Sequence, residues 1–196
     1  MISSIILGAG MSKRMGSQNK LLLRINHNTI LRETIKNIIA SNVTNCTVIL
    51  GHDSNKILSE IDSLNINIVI NKYYKEGLSS SIRAGVNNLK QNTKAVMICL
   101  GDMPLIKTST YNQLLSSFEK VNEKKILVPF YKELKGNPII FSHHYFSQLI
   151  KLKGDCGAKN IINQNKGFTM NINVADQGIV SDFDTKNDYY NYMKNR

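Results

Sequence analysis

Three stretches of this chain gather side chains that can do chemistry. The first is Leu7-Gly8-Ala9-Gly10, where an apolar run stops, followed by Arg14 and Lys20. Gly8 and Gly10 let backbone come close to a ligand and turn N–H groups toward an anion. Arg14 and Lys20 add fixed positive charge. Such a loop suits a triphosphate, whose charge must be balanced when bound and as a bond breaks. The plainer reading is an ordinary turn with exposed cations. The dinucleotide fingerprint GxGxxG fails, since Lys13 stands where the third glycine belongs. The P-loop pattern fails too, because Ser17-Gln18 follow Gly16.

The second and third stretches supply carboxylates. Asp102 follows the apolar run Ala95–Leu100, and Asp182 and Asp184 lie near the other end of the chain. A carboxylate at a strand's carboxyl tip suits Mg²⁺, which takes one or two protein oxygens and completes its shell with phosphate oxygens. Asp102 could equally cap the next turn, and Asp184 could cap a helix beyond Thr185. Ser79, Ser80 and Ser81 open a helical pattern and offer hydroxyls and N–H groups to an anion or a base edge. Arg83 lies in that helix's first turn, where a cation opposes the helix dipole. It answers either an external anion or an exposed carboxylate. Asn137, in Gly136-Asn137-Pro138, and Asp155, in Gly154-Asp155-Cys156-Gly157, sit in loops that either face a second substrate or simply turn. Asp155 would then cap the helix starting near Gly157. His143 and His144 have no partners at zinc-ligand spacing.

These residues need a scaffold that collects strand ends. Short β-branched runs recur at Ile5–Leu7, Cys46–Leu50, Ile66–Ile70, Ala95–Leu100 and Ile126–Val128. Helical stripes lie between them: Ile30, Leu31, Ile35, Ile38 and Ile39; Ile57, Leu58, Ile61 and Leu64; Ile82, Val86 and Leu89; Tyr111, Leu114, Leu115 and Phe118. Such alternation predicts an α/β fold, a Rossmann-like three-layer domain with a mostly parallel sheet. Ligands of such sheets lie beyond the carboxyl ends of the strands. After Val128 the rhythm changes. Residues 129–142 are expected to form a loop or hairpin insertion, followed by two short helices, a strand near 170–174 and a last helix from about Asp184.

The 196 residues, 42% of them hydrophobic, suit one domain over 1–196 with a real core. No apolar run approaches a membrane span, and no basic-then-apolar leader opens the chain. A cytoplasmic protein is expected, with no membrane partner. Cys46 and Cys99 read as core residues; the role of Cys156 stays open. The net charge of +11 suggests a polyanionic partner. The lysines are scattered and no RNA-binding signature appears, so a nucleotide with a phosphorylated small molecule is favoured over nucleic acid.

The stretch LGAGMSKRMGSQNKLLL resembles the signature LxxGxSxRMGxxNKLLL of nucleotidyltransferases that activate small phosphorylated molecules, the molybdenum cofactor cytidylyltransferases and their relatives. Further resemblances follow in the family's order: GLSSSIRAGV at 77–86, CLGDMPLI at 99–106, KGNPIIFS at 135–142, LKGDCGAKNII at 152–162 and DFDTKNDY at 182–189. The resemblance implies a fold of the nucleotide-diphospho-sugar transferase type and transfer of CMP from CTP to molybdenum-bound molybdopterin, with release of pyrophosphate. It implies Arg14, Lys20 and Asp102 as catalytic residues. Leu7, Gly8, Ala9, Gly10 and Ser79–Ser81 would bind nucleotide with Arg14 and Lys20. Arg83, Asn137 and Asp155 would bind acceptor, and Asp102 with Asp184 would hold Mg²⁺. The product would pass to a molybdoenzyme or its chaperone. Guanylyl-transferring relatives usually carry a second glycine where this chain has Ala9, which favours cytidine. Asn137 stands where His is common, and Lys186 where the family has proline. Two other readings compete: a nucleotidyltransferase for a sugar or polyol phosphate, and a non-catalytic module that carries a cofactor.

Overall fold

Strand β1 (Ile2–Gly8) is buried along its whole length. Its alternate residues serve two cores: Ile2 and Ile6 face one, Ile5 and Leu7 the other. A strand covered on both faces must lie inside a sheet between two helical layers. The computed structural model describes residues 1–16, 18–25, 27–120, 125–155 and 157–194 and shows that arrangement. Cys156 lies outside the described residues.

After β1 come the small ribbon β2 (Arg24–Ile25) and β3 (Asn28–Thr29), then α1 (Ile30–Ile39), β4 (Asn45–Leu50), α2 (Ser54–Ile61), β5 (Asn67–Ile70), α3 (Leu78–Asn87), β6 (Ala95–Leu100) and α4 (Thr108–Glu119). The later elements are β7 (Ile126–Tyr131), β8 (Leu134–Lys135), β9 (Ile139–Ser142), α5 (Phe146–Ile150), α6 (Lys159–Gln164), β10 (Thr169–Asn173) and α7 (Lys186–Lys194). The main sheet runs β10-β7-β9-β6-β1-β4-β5, with β8 paired to β7. The β1–β4, β1–β6, β4–β5 and β7–β10 pairs are parallel. Helices α1, α2 and α4 cover one face, and α3, α5 and α6 the other. In α1, Thr29 caps the first turn by accepting from the Arg32 N–H at 3.3 Å, and Ile30, Leu31, Ile35 and Ile38 are buried. Each such side chain contributes about 2 kcal/mol of hydrophobic stabilisation.

The segment expected as a loop or hairpin insertion is more than that. It turns through β8, but β9 then enters the main sheet antiparallel between β6 and β7. Only residues 132–138 separate β7 from β9, too few for the crossover a parallel strand needs. Ile140 and Phe141 fill opposite cores. Cys46 and Cys99 are both buried. No helix among the described residues is long and apolar enough to cross a membrane.

Candidate active site

The carboxyl ends of β1 and β6 meet at one cleft of about 500 Å³. Leu7 and Leu100, partners in register, form its apolar floor. The Gly101 N–H donates to the Leu7 carbonyl at 3.0 Å. A side chain on Gly101 would fall 3.0 Å from that oxygen, so the two strand ends meet this closely only because residue 101 is glycine.

The loop after β1 is closed by its own side chains. Ser12 Oγ accepts from the Lys20 N–H at 3.2 Å and donates to Asn19 Oδ1 at 3.4 Å. Asn19 also accepts from the Leu21 N–H and donates to Asp53. Met15 and Leu21 are buried as anchors on either side. This clasp puts Arg14 and Lys20 on the same cleft. Ser12 and Asn19 are part of the motif quoted above, yet their role as fasteners was not anticipated.

Asp102 follows β6 and is mostly buried, and Lys20 Nζ bonds its Oδ2. The same ammonium donates to Asp184 Oδ1 at 2.9 Å, and Arg14 pairs with Asp184 Oδ2. Asp182 and Asp184 reach Asp102 because Phe183 between them is buried in the core and its N–H donates to the Asp102 carbonyl at 3.2 Å. Asp184 does not cap α7. Thr185 and Asp188 do that reciprocally: the Thr185 N–H donates to Asp188 Oδ2 at 2.7 Å and the Asp188 N–H to Thr185 Oγ1 at 3.2 Å. The Asp184 carboxylate is thereby left to face the cations.

Asp102, Asp182 and Asp184 each offer an oxygen within 4.8 Å of the others. Burial, then the charge of Asp102, raises the Asp182 carboxyl above its usual range. A further positive charge would relieve that repulsion. The donors are all hard oxygens, and Lys20 already shows the cluster's preference for a cation. The chemistry of this donor set fits a hard divalent cation such as Mg²⁺.

Other expected site residues fall elsewhere. Ser81 lines the cleft, but Ser79 and Ser80 do not. The Ser79 hydroxyl donates to the Lys153 carbonyl, and Ser80 is bonded to Gly77 and Asn71. The helix turn points both away from the cleft. Arg83 is likewise outside, held by Glu76 and the Leu152 carbonyl. Asn137 is not at the cleft either. A cis bond joins it to Pro138, and its N–H donates to the Ile179 carbonyl at 2.9 Å. Asp155 lines the cleft, but it caps α3 rather than the helix that follows it. Ala9 is 3% exposed, and a methyl placed on Gly51 would lie 2.9 Å from its Cβ. The Ala9 methyl is therefore packed in the wall beside Gly51. Tyr74, Lys75 and Glu76, in a single turn before α3, complete the cleft; their short polar segment carried no motif to announce them.

Comparison with known proteins shows the chain's relatives. Molybdenum cofactor cytidylyltransferase of Escherichia coli (strain K12) is 26% identical over 193 residues, covering 96% of this chain and 93% of that protein. Nicotine blue oxidoreductase of Paenarthrobacter nicotinovorans is 22% identical over 201 residues, 98% of this chain and 96% of that one. The crystal structure of Rv0371c from Mycobacterium tuberculosis H37Rv superposes with a TM-score of 0.88 at 23% identity, covering 98% of this chain and 97% of that one. Rv0371c has also been solved as a complex with manganese, at a TM-score of 0.85. The model of the MobA-like NTP transferase domain matches residues 4–168, and the chain belongs to that family of nucleotidyltransferases.

Proposed function

We propose that this nucleotidyltransferase works as one domain over residues 1–196, moving CMP from CTP to molybdenum-bound molybdopterin with release of pyrophosphate. The observation that carries this reading is the convergence of Arg14, Lys20, Asp102 and Asp184 on the cleft that the glycine loop borders. The similarity to the cytidylyltransferase of E. coli supports the choice of substrates.

An acceptor phosphate oxygen attacks the α-phosphorus in line. A new P–O bond forms, and the bond to the β-phosphate oxygen breaks with its electron pair leaving on pyrophosphate. No covalent enzyme intermediate is needed, so positioning and charge stabilisation do the work. Gly8, Ala9 and Gly10 border base and phosphates with backbone, and Ser81 adds a hydroxyl. Arg14, whose side chain is 70% exposed, has room to swing onto the leaving pyrophosphate. Lys20 holds the α-phosphate or the acceptor phosphate. Asp102 and Asp184 hold Mg²⁺, which when bound offsets charge on the triphosphate. Ala9 bears on base choice by fixing where the Leu7–Gly10 backbone lies against Gly51. The cytoplasm is the proposed site of action, with a molybdoenzyme or its chaperone receiving the product and no nucleic acid involved.

The test is pyrophosphate release from each of four NTPs against a panel of acceptors that includes molybdopterin and sugar and polyol phosphates. CTP with molybdopterin should give the highest kcat/KM, and Asp102→Asn should abolish it. Preference for GTP, or for a sugar phosphate, would overturn the substrate assignment. Failure of every pair to release pyrophosphate would overturn the reaction.

A further inference from the structure

We infer that Asp155 and Arg83 are positioning residues: they clamp the 152–155 loop onto the start of α3 and so set the acceptor-side wall of the cleft. The clause about the acceptor rests on the function proposed above; the clamp itself rests on hydrogen bonds.

The start of a helix leaves its first N–H groups without partners within the helix. In α3 this chain supplies them. The Leu78 N–H donates to Asp155 Oδ1 at 2.8 Å, the Ser79 N–H to the Gly154 carbonyl at 3.3 Å, and the Ser80 N–H to the Gly77 carbonyl at 3.1 Å. The end of α3 is thus a seat for a loop. Asp155 brings negative charge to the positive end of the helix, where it is favoured.

The seat is shaped for that loop. Gly77 has φ +97°, and a Cβ there would fall 2.9 Å from Asp155 Oδ1. Gly157, with φ +54°, would place a Cβ 2.9 Å from Leu78 Cδ2. Gly77 is the tighter of the two, since a Cβ there would also fall 3.0 Å from the Gly154 carbonyl oxygen and hold the two segments apart. Ser79 Oγ adds a bond to the Lys153 carbonyl at 3.3 Å.

Arg83 locks the assembly from behind. One guanidinium nitrogen donates to the Leu152 carbonyl at 2.7 Å and another to Glu76 Oε2 at 2.6 Å. Arg83 is the sixth residue of α3, in its second turn rather than the first expected from the sequence, and these two oxygens balance its charge. Arg83 therefore ties three segments: the turn that carries Glu76, α3 itself, and the 152–155 loop. Glu76, Leu78, Ser81 and Asp155 all face the cleft, while Arg83 does not. It acts on the cleft only through what it holds.

The test combines amide hydrogen exchange with steady-state kinetics on Asp155→Ala, Asp155→Asn and Arg83→Met. Loss of a capping acceptor should speed exchange of the Leu78 and Ser79 amides about fivefold to tenfold in Asp155→Ala. Asp155→Asn keeps an oxygen that can accept from the Leu78 N–H, so its exchange should match wild type. Arg83→Met should speed the same amides, and it should raise the acceptor KM about tenfold with the nucleotide KM changed less than about twofold. Unchanged exchange in both Asp155→Ala and Arg83→Met would overturn the clamp. So would an Asp155→Asn protein with slow exchange but an acceptor KM as high as that of Asp155→Ala, since the charge would then be touching the ligand. If wild type transfers nothing from CTP, the proposed reaction fails while the exchange rates still decide the clamp.

Discussion

Lys20 is the common partner of Asp102 and Asp184, and replacing it with methionine probes the cluster directly. The side chains of Lys20 and Asp102 are 16% and 12% exposed, so their pairing is largely shielded from water. Removing one member of a fully buried pair costs about 3–5 kcal/mol, because the other charge is left stranded. Here the residual exposure, and the 35% exposure of the Asp184 side chain, bring that to about 2–3 kcal/mol. For a protein of this size the melting temperature should fall by roughly 5–10 °C. Lys20→Met with Asp102→Asn removes both charges, and the double variant should be more stable than the sum of the single effects by about 2 kcal/mol. Thermal denaturation in a chelator near neutral pH measures all four proteins. Adding Mg²⁺ should then restore stability to Lys20→Met by about 2–3 kcal/mol at saturation, since the ion replaces the lost ammonium. The reasoning is refuted if Lys20→Met melts within about 1 °C of wild type in chelator, or if the two substitutions are strictly additive.

Arg14→Ala should lower kcat about 100-fold while changing the nucleotide KM only a few-fold, because charge on pyrophosphate grows toward the transition state; a normal kcat with a raised KM would contradict this. Thr185→Ala should cost about 1 kcal/mol and lower kcat several-fold by loosening Asp184, and Thr185→Ser should restore both; denaturation and initial rates check it. Burial pushes the Cys46 thiol up to about 11 and the Cys99 thiol well above its usual value. A raised thiol pKa means less thiolate at any given pH, about one part in a thousand for Cys46 at pH 8. Alkylation of these two residues, followed by mass spectrometry, should therefore track global unfolding, and faster labelling of the native protein would refute their burial.

Much of the scaffold is legible because parallel strands, buried on both faces, write themselves as short β-branched runs. The carboxyl ends of β1 and β6 could thus be located, and Arg14, Lys20 and Asp102 with them. Strand β9 was missed because its partners β6 and β7 are set by tertiary packing, and a cluster of Gly and Pro in front of it reads as a turn. That Ser79, Ser80 and Arg83 lie outside the cleft lining was hidden for a related reason. Their hydrogen-bond partners include Asn71 and the backbone of Leu152 and Lys153, and the backbone partners have no side-chain signature. Arg83 was expected in the helix's first turn, but α3 begins at Leu78 and places it in the second, where Glu76 and the Leu152 carbonyl hold it. Asp184 was ambiguous locally as well. Only the reciprocal bonding of Thr185 and Asp188 shows that a different residue caps the helix.

Among the described residues every strand of the sheet is complete by Asn173, whereas the carboxylates flanking Phe183 come after it. On a ribosome, strand pairing can therefore finish while the cluster around Lys20 still lacks two of its members. The same order leaves a cut available to proteases. Cleavage just before Asp182 would keep every strand of the sheet in one piece but remove Asp182, the Phe183 core anchor and Asp184 together.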